Sequence, residues 1–157
     1  MAVTSVSVAA NPEVRLGSVL TVELLDKGTQ EWVYILNEGA AALAAGEVVM
    51  RNTTSTEYRG VVTTAATLIP SVRCFGVAQH AIPAGYYGFV LRRGLGTVKA
   101  GSGAAINDTE AITTGGTEAG SGLAIAHATI ALACVVGVAV QNISAGGSGL
   151  AFIDCRG

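Results

Sequence analysis

Two histidines are the side chains best suited to acid–base or metal chemistry in this chain of 157 residues, because imidazole titrates near neutral pH and binds metals. Neither His80 nor His127 has a second histidine or cysteine at the spacing of a metal site. No Gly-x-Ser-x-Gly motif marks a nucleophilic serine. We therefore predict no catalytic residue, no metal site and no cofactor, with a small hydrolase whose triad assembles only on folding as an alternative.

Three carboxylates and two glycine-serine segments are the remaining candidates for a binding site. Asp108, Glu110 and Glu118 lie in one Gly/Ser/Thr-rich stretch, where calcium could bind, but the residue pattern of a calcium loop is absent. The segments 101–103 and 120–122 both read Gly-Ser-Gly and lack the residues that complete a phosphate-binding loop. We expect solvated loops at all of these positions.

The cysteines indicate where the protein is made. Cys74, Cys134 and Cys155 are odd in number and widely spaced, which is typical of buried thiols in a reducing cytoplasm. A disulfide between Cys74 and Cys134 is the less favoured alternative. The first residues carry no basic segment followed by an apolar one, so no signal peptide is predicted.

A gapless repeat is the strongest pattern in the sequence. The segment 76–91 returns as 137–152, with a constant offset of 61 residues and identity at seven of sixteen positions. The identical pairs are Gly76/Gly137, Val77/Val138, Ala78/Ala139, Ile82/Ile143, Ala84/Ala145, Gly85/Gly146 and Gly88/Gly149. An apolar run, an Ile-x-Ala-Gly turn and a second apolar run predict a β-hairpin used twice. The shorter echoes at 43–46 and 98–101 are discounted, because Ala-Gly pairs arise often in this composition.

Frequent glycine turns between short apolar segments predict an all-β fold, a compact barrel or sandwich with a duplicated hairpin and an extended N-terminal arm. We expect residues 1–18 to form the arm and residues 19–157 to form one domain. Strands are expected at 19–25, 31–36, 47–50, 58–64, 110–113 and 123–133, the last with a helix as an alternative. Loops should fill most of 100–122, and the alanine-rich segment 38–46 predicts one or two helical turns.

The composition predicts partners. Hydrophobic residues make up 50% of the chain and charged residues only 13%, whereas a soluble surface usually carries about a quarter to a third charged residues. We therefore expect part of the surface to be covered, in an oligomer or an assembly. The net charge of −2 and the lack of a basic patch indicate no nucleic-acid partner. No apolar stretch suits a spanning helix, so no membrane partner is expected.

The N-terminal segment is a candidate contact surface. Residues 3–8 alternate apolar and polar types before Asn11-Pro12, as an extended arm does, although a frayed terminus fits equally well. Such an arm can add a strand to a neighbour. The only tryptophan, in the strand at 31–36, is expected in the core, with a subunit interface as the second interpretation. The predicted contact residues are Val3, Thr4, Val6, Val8, Trp32 and Tyr34.

Three parts of the chain resemble a known family. They are the segment 43–49, the segment 75–78 leading to 82–85, and the segment 136–139 leading to 143–146. Gly-Val-Ala strands that alternate with Ala-Ala-Gly-Glu hairpins are similar to those of the head-decoration (cement) proteins of tailed bacteriophages. The likeness covers about residues 35–157. The glutamate that follows the turn glycine is present at Glu47, but the later copies have Tyr86 and Gly147 there.

This resemblance implies a non-enzymatic virion protein, made in the host cytoplasm, that binds the outer surface of the capsid and stabilises the shell. The implied partner is the major capsid protein, and the implied oligomer is a homotrimer. A tail- or fibre-associated adhesin that binds host glycans is the alternative, because such proteins are also glycine- and threonine-rich β structures.

Overall fold

The computed structural model describes residues 8–52, 57–62, 74–114, 120–124 and 135–155. These residues form ten strands and no helix. In chain order the strands are β1 (Val19–Leu24), β2 (Gly28–Asn37), β3 (Val48–Arg51), β4 (Arg59–Val62), β5 (Cys74–Val77), β6 (Tyr87–Lys99), β7 (Ala111–Thr114), β8 (Gly122–Ala124), β9 (Val135–Ala139) and β10 (Ser148–Asp154). The all-β prediction is confirmed. Within the described ranges there is no helix that could cross a membrane.

The predicted strands correspond to β1, β2, β3, β4 and β7, with ends that differ by a few residues. Only the start of the strand predicted at 123–133 is described, as β8, and residues 125–133 lie outside the described part. The helical turns predicted at 38–46 are wrong. The buried Asn37 amide donates hydrogen bonds to the carbonyls of Ala41 and Ile82, both at 2.9 Å, and Leu43 pairs with Ile82. The local bond to Ala41 and the long-range contacts with Ile82 together outweigh the helix propensity of the alanines.

Five strands close the first barrel. β2 pairs in parallel with β4, and β4, β3, β5 and β6 then follow in antiparallel order. The first half of β6 returns to β2, with Trp32 opposite Leu91 and Leu36 opposite Tyr87. This pairing closes the ring, so the barrel and not the sandwich is the fold. β1 is an additional strand, paired with the free edge of β2.

A second ring of strands begins on the same long strand. The second half of β6 pairs with β10, and β9, β7 and β8 follow, all antiparallel. A parallel bridge between Ala100 and Gly122 joins the end of β6 to β8 and closes this second barrel. The 13 residues of β6 therefore belong to both barrels.

The duplication extends over the whole barrel and not only over the hairpin. The pair Leu36–Tyr87 recurs as Lys99–Ser148. The parallel contact between Asn37 and Gly60 recurs as the bridge between Ala100 and Gly122. The register shift after Val49 in β3 recurs after Ile112 in β7. The elements β2, β4, β3, β5 and β6 of the first barrel thus correspond to β6, β8, β7, β9 and β10 of the second.

One turn motif occurs four times. Each copy has a buried aliphatic residue that makes a bridge, followed by a tight turn that a backbone hydrogen bond closes. The bridging residues are Leu43 paired with Ile82, and Ile106 paired with Ile143. The third residue of each turn has a left-handed φ, namely Gly46 (85°), Gly85 (76°), Thr109 (68°) and Gly146 (70°).

Two of these turns were not expected from the sequence. The echo at 43–46, which we discounted, is a true copy of the motif, whereas the echo at 98–101 is the end of β6 and the residues after it. The fourth copy, at 106–109, lies where loops were predicted and contains no Ala-Gly pair. The prediction of surface loops is therefore wrong at Ile106, whose side chain is fully buried and whose backbone pairs with Ile143, whereas residues 107–109 form an exposed turn.

Equivalent residues fill the two barrels. The interior of the first barrel forms one apolar cluster, and the interior of the second forms most of another. The equivalent buried pairs are Ile35/Val98, Leu43/Ile106, Val49/Ile112, Phe75/Val136, Ala78/Ala139, Ile82/Ile143 and Val90/Ala151. Each barrel therefore has its own interior, although both barrels share β6.

Close backbone approach explains two of the identical glycines. A Cβ atom at Gly76 would lie 2.3 Å from the carbonyl oxygen of Leu91, and one at Gly137 would lie 2.2 Å from that of Phe152. Real Cβ atoms do not approach a backbone oxygen this closely, so the neighbouring strand leaves no room for a side chain. The hairpin repeat therefore preserves a packing requirement of the β5–β6 and β9–β10 pairs.

Candidate interaction surface

The candidate catalytic groups do not form a site within the described residues. His80 is half-buried, and burial lowers its pKa below the ordinary value of 6.5 because the charged imidazole loses hydration. His127 and Glu118 lie outside the described residues. No group of three or more histidine, cysteine, aspartate or glutamate side chains that could hold a metal occurs where the structure describes the chain.

The carboxylate of Glu110 has a structural contact. Its Oε2 atom accepts a hydrogen bond of 2.7 Å from the backbone N–H of Asn107, and its Oε1 atom accepts one of 3.2 Å from the Asn107 side chain. These bonds lower the pKa of Glu110, the backbone bond most. Glu47 accepts the equivalent bond from Ala44 at 2.8 Å. The two glutamates thus close the first turn of each barrel.

Two cysteines lie near one end of the first barrel. Cys74 and Cys155 are buried, as predicted. Both line a cavity of about 90 Å³, whose other lining residues are Val33, Arg51, Tyr58, Phe75 and Arg92. Cys134 lies outside the described residues, and so does the alternative disulfide with Cys74.

The predicted contact residues of the N-terminal arm are only partly described. Val3, Thr4 and Val6 lie outside the described residues, and Val8 is 36% exposed. From residue 9 onward the segment lies on the first barrel. Ala9 exchanges two backbone hydrogen bonds with Tyr87, at 3.1 and 2.8 Å, and Tyr34 bonds to Gly17 and Ser18. The two ends of the segment 9–18 thus add their backbone hydrogen bonds to strands of their own chain.

Trp32 and Tyr34, the other two predicted contact residues, are buried. Trp32 is 8% exposed, which confirms the core interpretation, and Tyr34 is fully buried. The Tyr34 ring packs on Phe89 at 4.8 Å and on Tyr87 at 6.0 Å, and its hydroxyl accepts a hydrogen bond from the Glu13 backbone. Neither side chain offers a free surface to a partner in this conformation of the chain.

A groove lies between the N-terminal segment and the start of β4. It has a volume of about 680 Å³ and is lined by Pro12, Glu13, Val14, Arg15, Leu16, Glu57, Tyr58 and Tyr87. Val14 is 43% exposed and Tyr58 is 38% exposed. The groove therefore combines apolar surface with charges of both signs, as an interface does.

A second exposed surface lies on the outside of the second barrel. We call it the apolar row, and it consists of Ala111, Val138, Phe152 and Leu95, which are directly opposite one another on four adjacent strands. Phe152 is 45% exposed and Val138 is 41% exposed. Val140, at 45%, is two residues further along the same face. The sequence contains a signal for this surface in β10. Residues 150–153 are all apolar, and because side chains alternate along a strand, this run predicts apolar groups on both faces of β10.

Comparisons with known proteins do not assign the chain to a family, but they show a solved structure with a similar fold. No protein-family model and no curated protein matches the chain. Among solved structures, the chain is similar to the N base of the head fibre protein gp8.5 of bacteriophage phi29, with a TM-score of 0.53 and 16% sequence identity. The match covers 79% of this chain and 95% of that one. At this level of identity, what the two chains share is the fold.

Proposed function

We propose that this protein is a structural component of a phage virion, which binds the outer surface of the capsid and stabilises the shell. The observation that carries the proposal is the similarity to nearly the whole of a head fibre base, 95% of that chain. The resemblance of the hairpin sequences to head-decoration proteins points independently to the same part of a virion. The major capsid protein is the proposed partner.

Physical properties of the chain are compatible with this role. A protein that binds the assembled shell and not the free capsid protein shifts the equilibrium towards the shell, and so stabilises it by mass action. Several copies joined in one oligomer, for which we propose a homotrimer, would bind more tightly than one copy, because the later contacts form at a high effective concentration. The groove and the apolar row supply exposed apolar surface for such contacts.

The second candidate is the base of a fibre or adhesin that binds host glycans. It is favoured by the name of the structural neighbour, which is part of a head fibre. The two candidates differ in copy number, because a protein that covers the shell is needed at many sites and a tail or vertex protein at few. They also differ in ligand, which is the capsid protein in one case and a glycan in the other.

The experiment is quantitative mass spectrometry of purified virions, with the major capsid protein as the internal standard. A decoration protein should be present within a few-fold of the capsid protein. Purified protein added to shells that lack it should also raise the temperature at which the shells break. A handful of copies per particle would favour the fibre or adhesin candidate, and absence from the particle would contradict both.

A further inference from the structure

The apolar row of the second barrel has a counterpart on the first barrel. Trp32 lies opposite Leu91, Leu91 opposite Val77, and Val77 opposite Val48. These are the positions equivalent to Leu95, Phe152, Val138 and Ala111. The counterpart is covered, since Val48, Val77 and Leu91 are fully buried and Trp32 is 8% exposed. Equivalent surfaces are thus covered on one barrel and exposed on the other.

The second barrel itself covers the row of the first. All four residues belong to the cluster that also contains the interior of the second barrel. A Cβ atom at Gly96 would lie 2.3 Å from Cδ2 of Leu91 and 3.0 Å from Cδ1 of Ile153. The Leu91 side chain therefore reaches the end of the second barrel, above Gly96 and beside Ile153. Glycine at position 96 provides the room for it.

The first barrel has a cavity at the equivalent place. Val33 and Arg92, which correspond to Gly96 and Ile153, both line the cavity of about 90 Å³ described above. We call this cavity the socket. The socket differs from the site that holds Leu91 in that Val33 has a side chain where Gly96 has none.

The chemistry of the socket suits an aromatic ring. Tyr58 and Phe75 stack with their ring centroids 5.3 Å apart. The guanidinium of Arg51 lies 5.8 Å from the Tyr58 ring and 5.5 Å from the Phe75 ring. Arg51 Nε is buried and has no hydrogen-bond partner among the described residues. Aromatic and guanidinium faces attract a further ring through stacking and cation–π contacts.

We propose that Phe152 of one copy inserts into the socket of a second copy, so that copies associate head to tail. Within the chain, Leu91 of the first barrel enters the end of the second barrel. Phe152 is the residue of the second barrel equivalent to Leu91, and the socket is the equivalent end of the first barrel. The proposed contact would therefore repeat between two copies the arrangement found within one chain. Each copy offers one Phe152 and one socket. Such a heterologous contact produces a closed ring or an open filament, depending on the rotation between copies. The inference does not depend on the proposed function.

Cross-linking tests the identity of the contact. Cysteines are placed beside the two contact groups, so that Phe152 and Tyr58 both remain. Asp154 lies two residues from Phe152 on the same face of β10, Glu57 is next to Tyr58, and both are exposed. Asp154→Cys protein is mixed with Glu57→Cys protein and treated with a short bis-maleimide, with the unchanged chain as the control for its native cysteines. Mass spectrometry of the linked peptides should show position 154 joined to position 57 of another copy. Links between two copies of position 154, or no links beyond the control, would overturn the proposal.

Self-association of the full chain is the second test. Phe152→Glu should weaken association by about tenfold or more in analytical ultracentrifugation, since such a buried aromatic anchor dominates an interface. Leu25→Glu is the matched control, because Leu25 is fully exposed at the tip of the β1–β2 hairpin and should leave association unchanged. Circular dichroism confirms that both variants are folded. A monomeric unchanged chain would refute the docking of one copy on another. If Phe152→Glu then abolished binding to the shell, the proposed capsid role would still stand.

Discussion

His80 occupies a position at which the two hairpin copies differ, since the second copy has Gln141 there. Its Nε2 atom is buried and has no hydrogen-bond partner among the described residues. Burial lowers the pKa of His80 below 6.5, so the neutral form is favoured in the folded protein. Glutamine has no charge to gain in this range. The two hairpins therefore differ in their response to acid.

This difference predicts a pH dependence of stability. The unfolded chain takes up a proton on His80 near pH 6.5, and the folded chain takes it up only at lower pH. As the pH falls from 6.5 towards the folded pKa, the unfolded state binds more protons and the free energy of unfolding decreases. His80→Gln should remove this part of the loss.

Urea unfolding at pH 7.5 and pH 5.5 measures this effect. The unchanged chain should lose more free energy of unfolding between the two values than His80→Gln loses. The carboxylates titrate in both proteins and so cancel in the comparison. Equal losses in the two proteins would contradict the burial of the His80 ring.

The turn at 106–110 shows what sequence patterns could and could not predict at the scale of an element. The hairpin at 76–91 was predictable, because glycine marks its turn and apolar runs flank it. The turn at 106–110 was missed because Asn-Asp-Thr-Glu has the composition of a solvated loop. A signal did exist, namely an aliphatic residue four positions before a glutamate, as in Leu43 and Glu47 and again in Ile106 and Glu110. Alone, that spacing is too common to identify a turn.

Thr109 pays a conformational cost that the other three turns avoid. It is the non-glycine residue with a positive φ, 68°, in the described chain. A left-handed conformation costs a residue other than glycine about 1–2 kcal/mol, and replacement by glycine removes this cost. Glycine is also freer in the unfolded chain, which lowers the free energy of unfolding by about 0.5–1 kcal/mol. Thr109→Gly should therefore stabilise the protein by about 0.5–1 kcal/mol, which corresponds to about 2 °C in Tm.

The reverse change is the control for this prediction. A Cβ atom at Gly85 would meet nothing within 4 Å, and its φ is 76°. Gly85→Thr thus tests the conformation without a steric clash, and it should lower the Tm by a similar amount. Thermal unfolding followed by circular dichroism measures both variants. A lower Tm for Thr109→Gly would mean that contacts of the threonine side chain outweigh its backbone strain.

The whole molecule is a tandem pair of barrels, and this was visible in the sequence only for its hairpins. The first strands of the two barrels diverged because their surroundings differ. Trp32 and Val48 face the second barrel, whereas the equivalent Leu95 and Ala111 lie on an exposed face. Different partners select different side chains even where the backbone is the same. Of the seven buried pairs inside the barrels, Ala78/Ala139 and Ile82/Ile143 are identical, and the other five remain apolar because their surroundings are equivalent.

The shared strand predicts that both barrels unfold together. The backbone of Leu91 belongs to the first barrel, and its side chain packs at the end of the second. Leu91→Ala should therefore destabilise the protein by about 2–5 kcal/mol, as expected for a fully buried leucine, and keep a single transition. Differential scanning calorimetry should give equal calorimetric and van't Hoff enthalpies for both proteins.

Leu25→Ala is the control for Leu91→Ala. Leu25 is fully exposed, so its truncation should change the stability by less than about 0.5 kcal/mol. Two separate transitions in the unchanged chain would show that the barrels are independent units in spite of their common strand.

The common strand β6 also has a mechanical consequence. A force that pulls the two barrels apart along β6 is transmitted by the backbone of this strand, because β2 holds its first half and β10 holds its second half. Hydrogen bonds loaded along a ladder in this way must break together, in shear, whereas those of a hairpin pulled at its open end break one after another. The molecule should therefore resist stretching along β6 more strongly than a force that peels off its outer strands.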